Sequence, residues 1–130
     1  MKALLLSAGI GSRLRPLTLK TPKCLVPINN KPLLQYWLEQ LEKIGVKEFI
    51  INTHYLHDQV QDFIKKSKFS ERITVIYEDE LLGTGGTLKK MLKYLKITRF
   101  FLFMQTISAS QILKVLYKVT ILGCLTSLFQ

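Results

Sequence analysis

The stretch Leu6-Ser7-Ala8-Gly9-Ile10-Gly11-Ser12-Arg13-Leu14-Arg15-Pro16-Leu17-Thr18, continued by Pro22-Lys23-Cys24-Leu25-Val26-Pro27, decides how this chain is read. It follows an apolar run, Ala3 to Leu6, of the kind that forms a buried strand. Gly9 and Gly11 stand two residues apart, Arg13 and Arg15 follow, and Lys23 is fixed behind Pro22. Glycine lets backbone N–H groups approach an anion closely, and arginine adds charge and a fork of donors. At the carboxyl end of a strand, such a loop forms a phosphate cradle. The competing reading is a basic surface loop between a strand and a helix. A dinucleotide fingerprint would need a third glycine where Leu14 stands, and a P-loop would end in Gly-Lys-Ser/Thr, which is absent.

Working outward, the element pattern is an alternation. Lys2 to Ser7 reads as the first strand, and the loop runs to about Asn30. Pro32 suits the first turn of a helix, and Leu33, Leu34, Trp37, Leu38, Leu41 and Ile44 recur at helical spacing until Gly45. Glu48 to Asn52 predicts a short buried strand, Leu56 to Lys66 an amphipathic helix and Ile73 to Tyr77 a third strand. Gly83-Thr84-Gly85-Gly86 starts a helix that continues through Leu88, Met91, Leu92 and Leu95, and Arg99 to Met104 reads as a fourth strand. This β-α-β-α-β-α-β order predicts an α/β fold, Rossmann-like, with three α/β/α layers, a mostly parallel sheet and helices on both faces. Ligands of such sheets bind outside the carboxyl ends of the strands, where the Gly9 and Gly83 loops both fall.

Composition bounds the rest. A chain of 130 residues is one domain at most, with room for a modest core. Hydrophobic residues at 48% and charged residues at 22% are ordinary for a soluble protein. The net charge of +10 raises nucleic-acid binding. The lysines are scattered, however, with no basic stripe interleaved with aromatic residues, so no nucleic-acid partner is expected; a polyphosphate substrate accounts for part of the charge. Cys24 and Cys124 show neither metal-ligand spacing nor a disulfide pattern, and the default compartment is a reducing cytoplasm. Met1 to Leu6 is too short an apolar run for a signal peptide, with Arg13 and Arg15 following too soon.

Roughly ten defined positions of the opening stretch resemble the signature of sugar-1-phosphate nucleotidylyltransferases, A-G-x-G-[ST]-R-L-x-P-L-T. The resemblance continues in P-K-x-L-[VL]-P, met here by Pro22 to Pro27, and in Lys31-Pro32. A second point is Glu80-Leu81-Leu82-Gly83-Thr84-Gly85-Gly86, similar to the family's acid or glutamine followed by L-G-T-[AG]-G. The nearest group within the family is mannose-1-phosphate guanylyltransferase-like, and the resemblance covers only the amino-terminal part of the fold.

The resemblance implies attack of a sugar 1-phosphate oxygen on the α-phosphorus of a nucleoside triphosphate, with release of pyrophosphate. It makes Arg13 and Lys23 the catalytic candidates. Leu6, Ala8, Gly9, Gly11, Ser12 and Arg13 would bind the nucleotide, with Gly83, Thr84, Gly85 and Gly86 as one wall of a slot for the base. Glu80 would accept from the two donors on guanine's Watson–Crick edge, which favours GTP. The role of Arg15 is left between phosphate contact and solvent exposure. Mg2+ held by aspartates is the implied cofactor.

The pattern then breaks. The family places a metal-binding aspartate just after the fourth strand, where this chain reads Gln105-Thr106-Ile107-Ser108. All nine acidic residues lie at or before Glu80, so no metal ligand is assigned. Residues 1–104 are therefore expected to form the amino-terminal part of a nucleotidyltransferase domain, with 105–130 an apolar tail. Met-Gln-Thr-Ile-Ser can be encoded so that one restored A gives Met-Gln-Asn-Asp-Ile, so an out-of-frame tail is the leading expectation. A membrane helix or a partner-binding helix over 112–129 is the alternative, and Lys114 and Lys118 weaken the membrane reading. His54 and His57 lack an evident third metal ligand. Trp37 reads as core. Cys24 reads as a packed loop residue, or else as a thiol with a pKa lowered by Lys23.

Three functions compete: a weakly active or inactive nucleotidyltransferase piece, a nucleotide-binding module without catalysis, and a small membrane- or partner-binding protein. Oligomeric state and the sugar are not readable.

Overall fold

The computed structural model describes residues 2–95 and 100–104. The expected tail over 105–130 and the start of the last strand at Arg99 lie outside the described residues, as do the side chains of Thr84, Leu92 and Leu95.

Four strands, β1 (Lys2–Leu6), β4 (Glu48–Thr53), β5 (Ile73–Tyr77) and β6 (Phe100–Met104), form one sheet in the order β5-β4-β1-β6. Every pairing in it is parallel, with Leu4 opposite Ile50 on one side and Leu102 on the other. Three helices join them: α1 (Leu33–Lys43), α2 (His57–Lys66) and α3 (Gly83–Leu95). The sequence alternation thus yields the expected doubly covered parallel sheet. A two-stranded hairpin of β2 (Pro27–Ile28) and β3 (Lys31–Pro32) closes the long first loop, an element the periodicity does not announce.

Side chains of a strand alternate between faces, and this splits the core in two. Ala3, Leu5, Phe49 and Ile51 point to one face, where Leu34, Trp37, Leu38 and Leu41 of α1 and Val60 and Ile64 of α2 cover them. Leu4, Ile50 and Ile76 point to the other, against Met91 and Leu88 of α3. Each fully buried leucine contributes roughly 1.5–3 kcal/mol of transfer free energy.

Helix ends follow local chemistry. Gly45, at φ +92°, stops α1: its N–H bonds Glu42 O at 3.0 Å and the Val46 N–H reaches Leu41 O at 3.0 Å, a Schellman end. Two expectations shift here. Pro32 lies in the hairpin, one residue before α1, and Ile44 is 42% exposed because the chain leaves the helix there. Beneath that turn Arg72 donates to Lys47 O, Val46 O and Glu42 Oε1, with its guanidinium beside the Phe49 and Phe69 rings.

Connectivity fixes where a ligand can sit. The chain steps from β1 to β4 to β5 in one direction, then returns across α3 to β6 on the other side of β1. The order reverses between β1 and β6, and the loop after β1 opens at that point.

Candidate functional site

The loop after β1 is a series of tight turns. The Leu14 N–H bonds Gly11 O, Arg15 N–H bonds Ser12 O, Leu19 N–H bonds Pro16 O and Leu25 N–H bonds Pro22 O, at 2.8–3.3 Å. Gly11 is left-handed at φ +69°, and a Cβ there would stand 2.9 Å from Thr18 Cγ2 and 3.1 Å from Lys23 Cβ. Only glycine fits both the angle and the space. Gly9 is exposed, and nothing lies within 4 Å of where its Cβ would be. Its backbone is open to an approaching group.

The structure brings Arg13 and Lys23 together. Burial lowers the Lys23 pKa, and the Arg13 charge lowers it further. Neither residue, nor Arg15, forms an ion pair among the described residues. Arg13, Arg15 and Ser12 are exposed, Lys23 and Leu6 half-buried, and Ala8 buried. Two neighbouring cations without an ion pair among the described residues, in a loop that also opens a glycine backbone, favour a polyanion.

Cys24 behaves as a packed residue. Burial pushes its thiol up to about 12, against smaller opposing hydrogen bonds from its own backbone and Ser7. The lowered pKa considered for it is thereby corrected: burial in apolar surroundings outweighs the hydrogen bonds that favour the thiolate.

The second loop leaves β5 and enters α3 at the same edge of the sheet. Glu80 is exposed and makes no hydrogen bond or ion pair among the described residues. Gly85 is exposed with open space where a Cβ would stand, whereas a Cβ on Gly86 would meet Leu82 Cβ at 2.9 Å. Gly83, at φ +68°, makes the turn into the helix.

Sequence reading missed what joins the loops. Glu78 is 1% exposed; its Oε1 accepts from Asn52 Nδ2 at 3.1 Å and from Thr87 Oγ1 at 2.7 Å. Asn52 Oδ1 in turn accepts from the Ser7 N–H at 2.7 Å. The Glu78 N–H donates to Thr53 O, and its carbonyl accepts from His54 Nδ1, which must carry the proton. One signal was available: a polar residue closing each apolar strand, Ser7, Asn52 and Glu78.

The Nδ1 atoms of the two histidines are taken up separately, His54 by the Glu78 carbonyl and His57 by Thr53 Oγ1. No group of three or more His, Cys, Asp or Glu could hold a metal among the described residues. No helix among the described residues is long and apolar enough to cross a membrane. The membrane alternative over 112–129 lies outside them.

Comparison with known proteins returns one family. The model of the nucleotidyl transferase family matches residues 2–119. A D-glycero-alpha-D-manno-heptose 1-phosphate guanylyltransferase of Campylobacter jejuni is 38% identical over 96 residues, covering 74% of this chain and 43% of the relative. A probable mannose-1-phosphate guanylyltransferase 1 of Oryza sativa is 44% identical over 90 residues, covering 68% of this chain and 25% of the relative. The chain thus spans less than half the length of either. Among solved structures, HddC from Yersinia pseudotuberculosis complexed with GMP-PN superposes with a TM-score of 0.70 at 34% identity, over 79% of this chain and 46% of that one. The CTP:phosphocholine cytidylyltransferase LicC of Streptococcus pneumoniae gives 0.64 at 32% identity, over 79% and 43%.

Proposed function

Because this chain belongs to the nucleotidyl transferase family, we propose that it binds a nucleoside triphosphate, GTP by preference, for transfer of the nucleotidyl group to a sugar 1-phosphate. The observation that carries this is the neighbouring pair Arg13 and Lys23, without an ion pair among the described residues, in the same loop as the open backbone of Gly9. Arg13 holds the triphosphate and offsets charge that develops at the α-phosphorus. Lys23 bridges toward the incoming phosphate. An oxygen of the sugar 1-phosphate forms the new bond to the α-phosphorus as the bond to pyrophosphate breaks. The protein supplies no nucleophile; it aligns two anions in line and offsets their repulsion.

Gly83 to Gly86 form the wall on which the base lies, and Glu80 accepts from guanine. Two curated relatives named as guanylyltransferases favour guanine, while the cytidylyltransferase neighbour shows that the fold itself tolerates another base.

Mg2+ remains the cofactor the reaction would use, and the position after β6 where the resemblance expects its aspartate reads Gln105-Thr106-Ile107-Ser108 here. With that aspartate replaced, we expect weak turnover in this chain and retained nucleotide binding. Titration of the purified chain with GMP-PNP tests the first half; pyrophosphate release from GTP and mannose 1-phosphate tests the second. Binding that falls about tenfold or more in Arg13→Ala and Lys23→Ala supports the assignment. Absence of GMP-PNP binding overturns it, and steady pyrophosphate release overturns the weak turnover. Resequencing the gene across codons 103–108 tests the out-of-frame tail. A single restored base yielding aspartate supports it, and an unchanged frame rejects it.

A further inference from the structure

Glu78 has no part in the roles above, yet at 1% exposure it is the most deeply buried acid among the described residues. A carboxylate costs free energy to bury unless every lone pair is met. Here Oε1 has two neutral donors, and Oε2 is buried with no hydrogen-bond partner among the described residues. An apolar residue of similar volume would hold the core more cheaply, so packing does not account for an acid at this position.

Its connections do. Thr87 lies one turn into α3, just behind Gly83 to Gly86, and donates to Glu78. Asn52 ends β4, donates to the same oxygen and accepts from the backbone of Ser7, where the glycine loop begins. We infer that Glu78 is a positioning residue that fixes the start of α3 relative to the loop after β1, so that the base wall and the phosphate cradle stand at one set distance. This rests on the nucleotide reading above. Base and triphosphate are covalently joined, so the two halves can bind together only if the protein holds their sites at a matching separation. Loosening one side forfeits affinity for the whole nucleotide while leaving the phosphate half intact.

The test is calorimetric titration of the full chain with two probes, GMP-PNP and inorganic tripolyphosphate, in Thr87→Val and Thr87→Ser. Valine removes the donor and keeps the shape; serine keeps the hydroxyl. The expected result is about a tenfold loss of GMP-PNP affinity in Thr87→Val, less than about a twofold change for tripolyphosphate, and recovery in Thr87→Ser. Wild-type affinity for GMP-PNP in Thr87→Val, or an equal loss for both probes, overturns the inference while the nucleotide reading stands. Failure of the wild-type chain to bind GMP-PNP overturns both. Should Thr87→Val fail to fold, Thr87→Ala replaces it, with the same expectations.

Discussion

Thr18 folds back onto Gly11: its Oγ1 donates to the Gly11 carbonyl at 2.7 Å, and its Cγ2 lies 2.9 Å from the place a Gly11 Cβ would take. The hydroxyl holds the turn and the methyl forbids any other residue in it. Gly11→Ala should therefore cost stability, by ~2 kcal/mol from left-handed backbone strain alone, and lose tripolyphosphate binding. Gly9→Ala meets nothing within 4 Å and should leave the melting temperature unchanged, yet weaken tripolyphosphate by blocking the open backbone. Thermal melts and titrations of both variants check this. Equal stability of the two would contradict the geometry.

Lys23 should give anion binding a pH dependence that begins below the ordinary lysine range. Its folded pKa is lowered by burial and by Arg13, and a bound polyanion favours its charged form. Tripolyphosphate affinity should fall as pH rises through that lowered value. For stability the sign is opposite: the cost of charging Lys23 in the fold is fully present below its folded pKa and relieved as pH rises toward 10.5. Lys23→Met should abolish the pH slope of binding, and a persisting slope would assign it elsewhere.

The Cys24 thiol, at about 12, should be inert to alkylation at pH 8 in the folded chain. Cys124→Ser isolates it, and labelling should appear only on unfolding. Rapid labelling of the native chain would contradict its burial. Its contribution to stability is complete below the unfolded value of 9.0 and is lost as pH climbs toward about 12.

Glu80 is exposed, so Glu80→Ala should move stability by less than about 0.5 kcal/mol. Its expected effect is on base choice: the preference for GMP-PNP over UMP-PNP should narrow. Competition titrations read this directly, and an unchanged ratio would remove Glu80 from base recognition.

Much of the fold was legible because its signals are local. The continuous apolar run of Ala3 to Leu6, helical spacing from Leu33 to Leu41 and the stop at Gly45 each depend on a few neighbouring residues. Gly11, Arg13 and Lys23 were legible for the same reason, a turn carrying charge at a strand's end. The acids were not. Glu78, Asp79 and Glu80 are adjacent in sequence and alike in chemistry, yet Glu78 is buried and the other two are exposed.

The sequence by itself determined the order of strands and helices, the glycine turns and the excess of cations, since each follows from side-chain period, backbone freedom or formal charge. Only the tertiary structure decided that β5 and β6 lie on opposite sides of β1, that Lys23 meets Arg13, and that Glu78 joins the two loops. The physical reason is distance along the chain. Ser7 and Asn52 are 45 residues apart, and Asn52 and Glu78 are 26 apart. No local pattern reports a hydrogen bond that exists only once parallel strands have brought their carboxyl ends together.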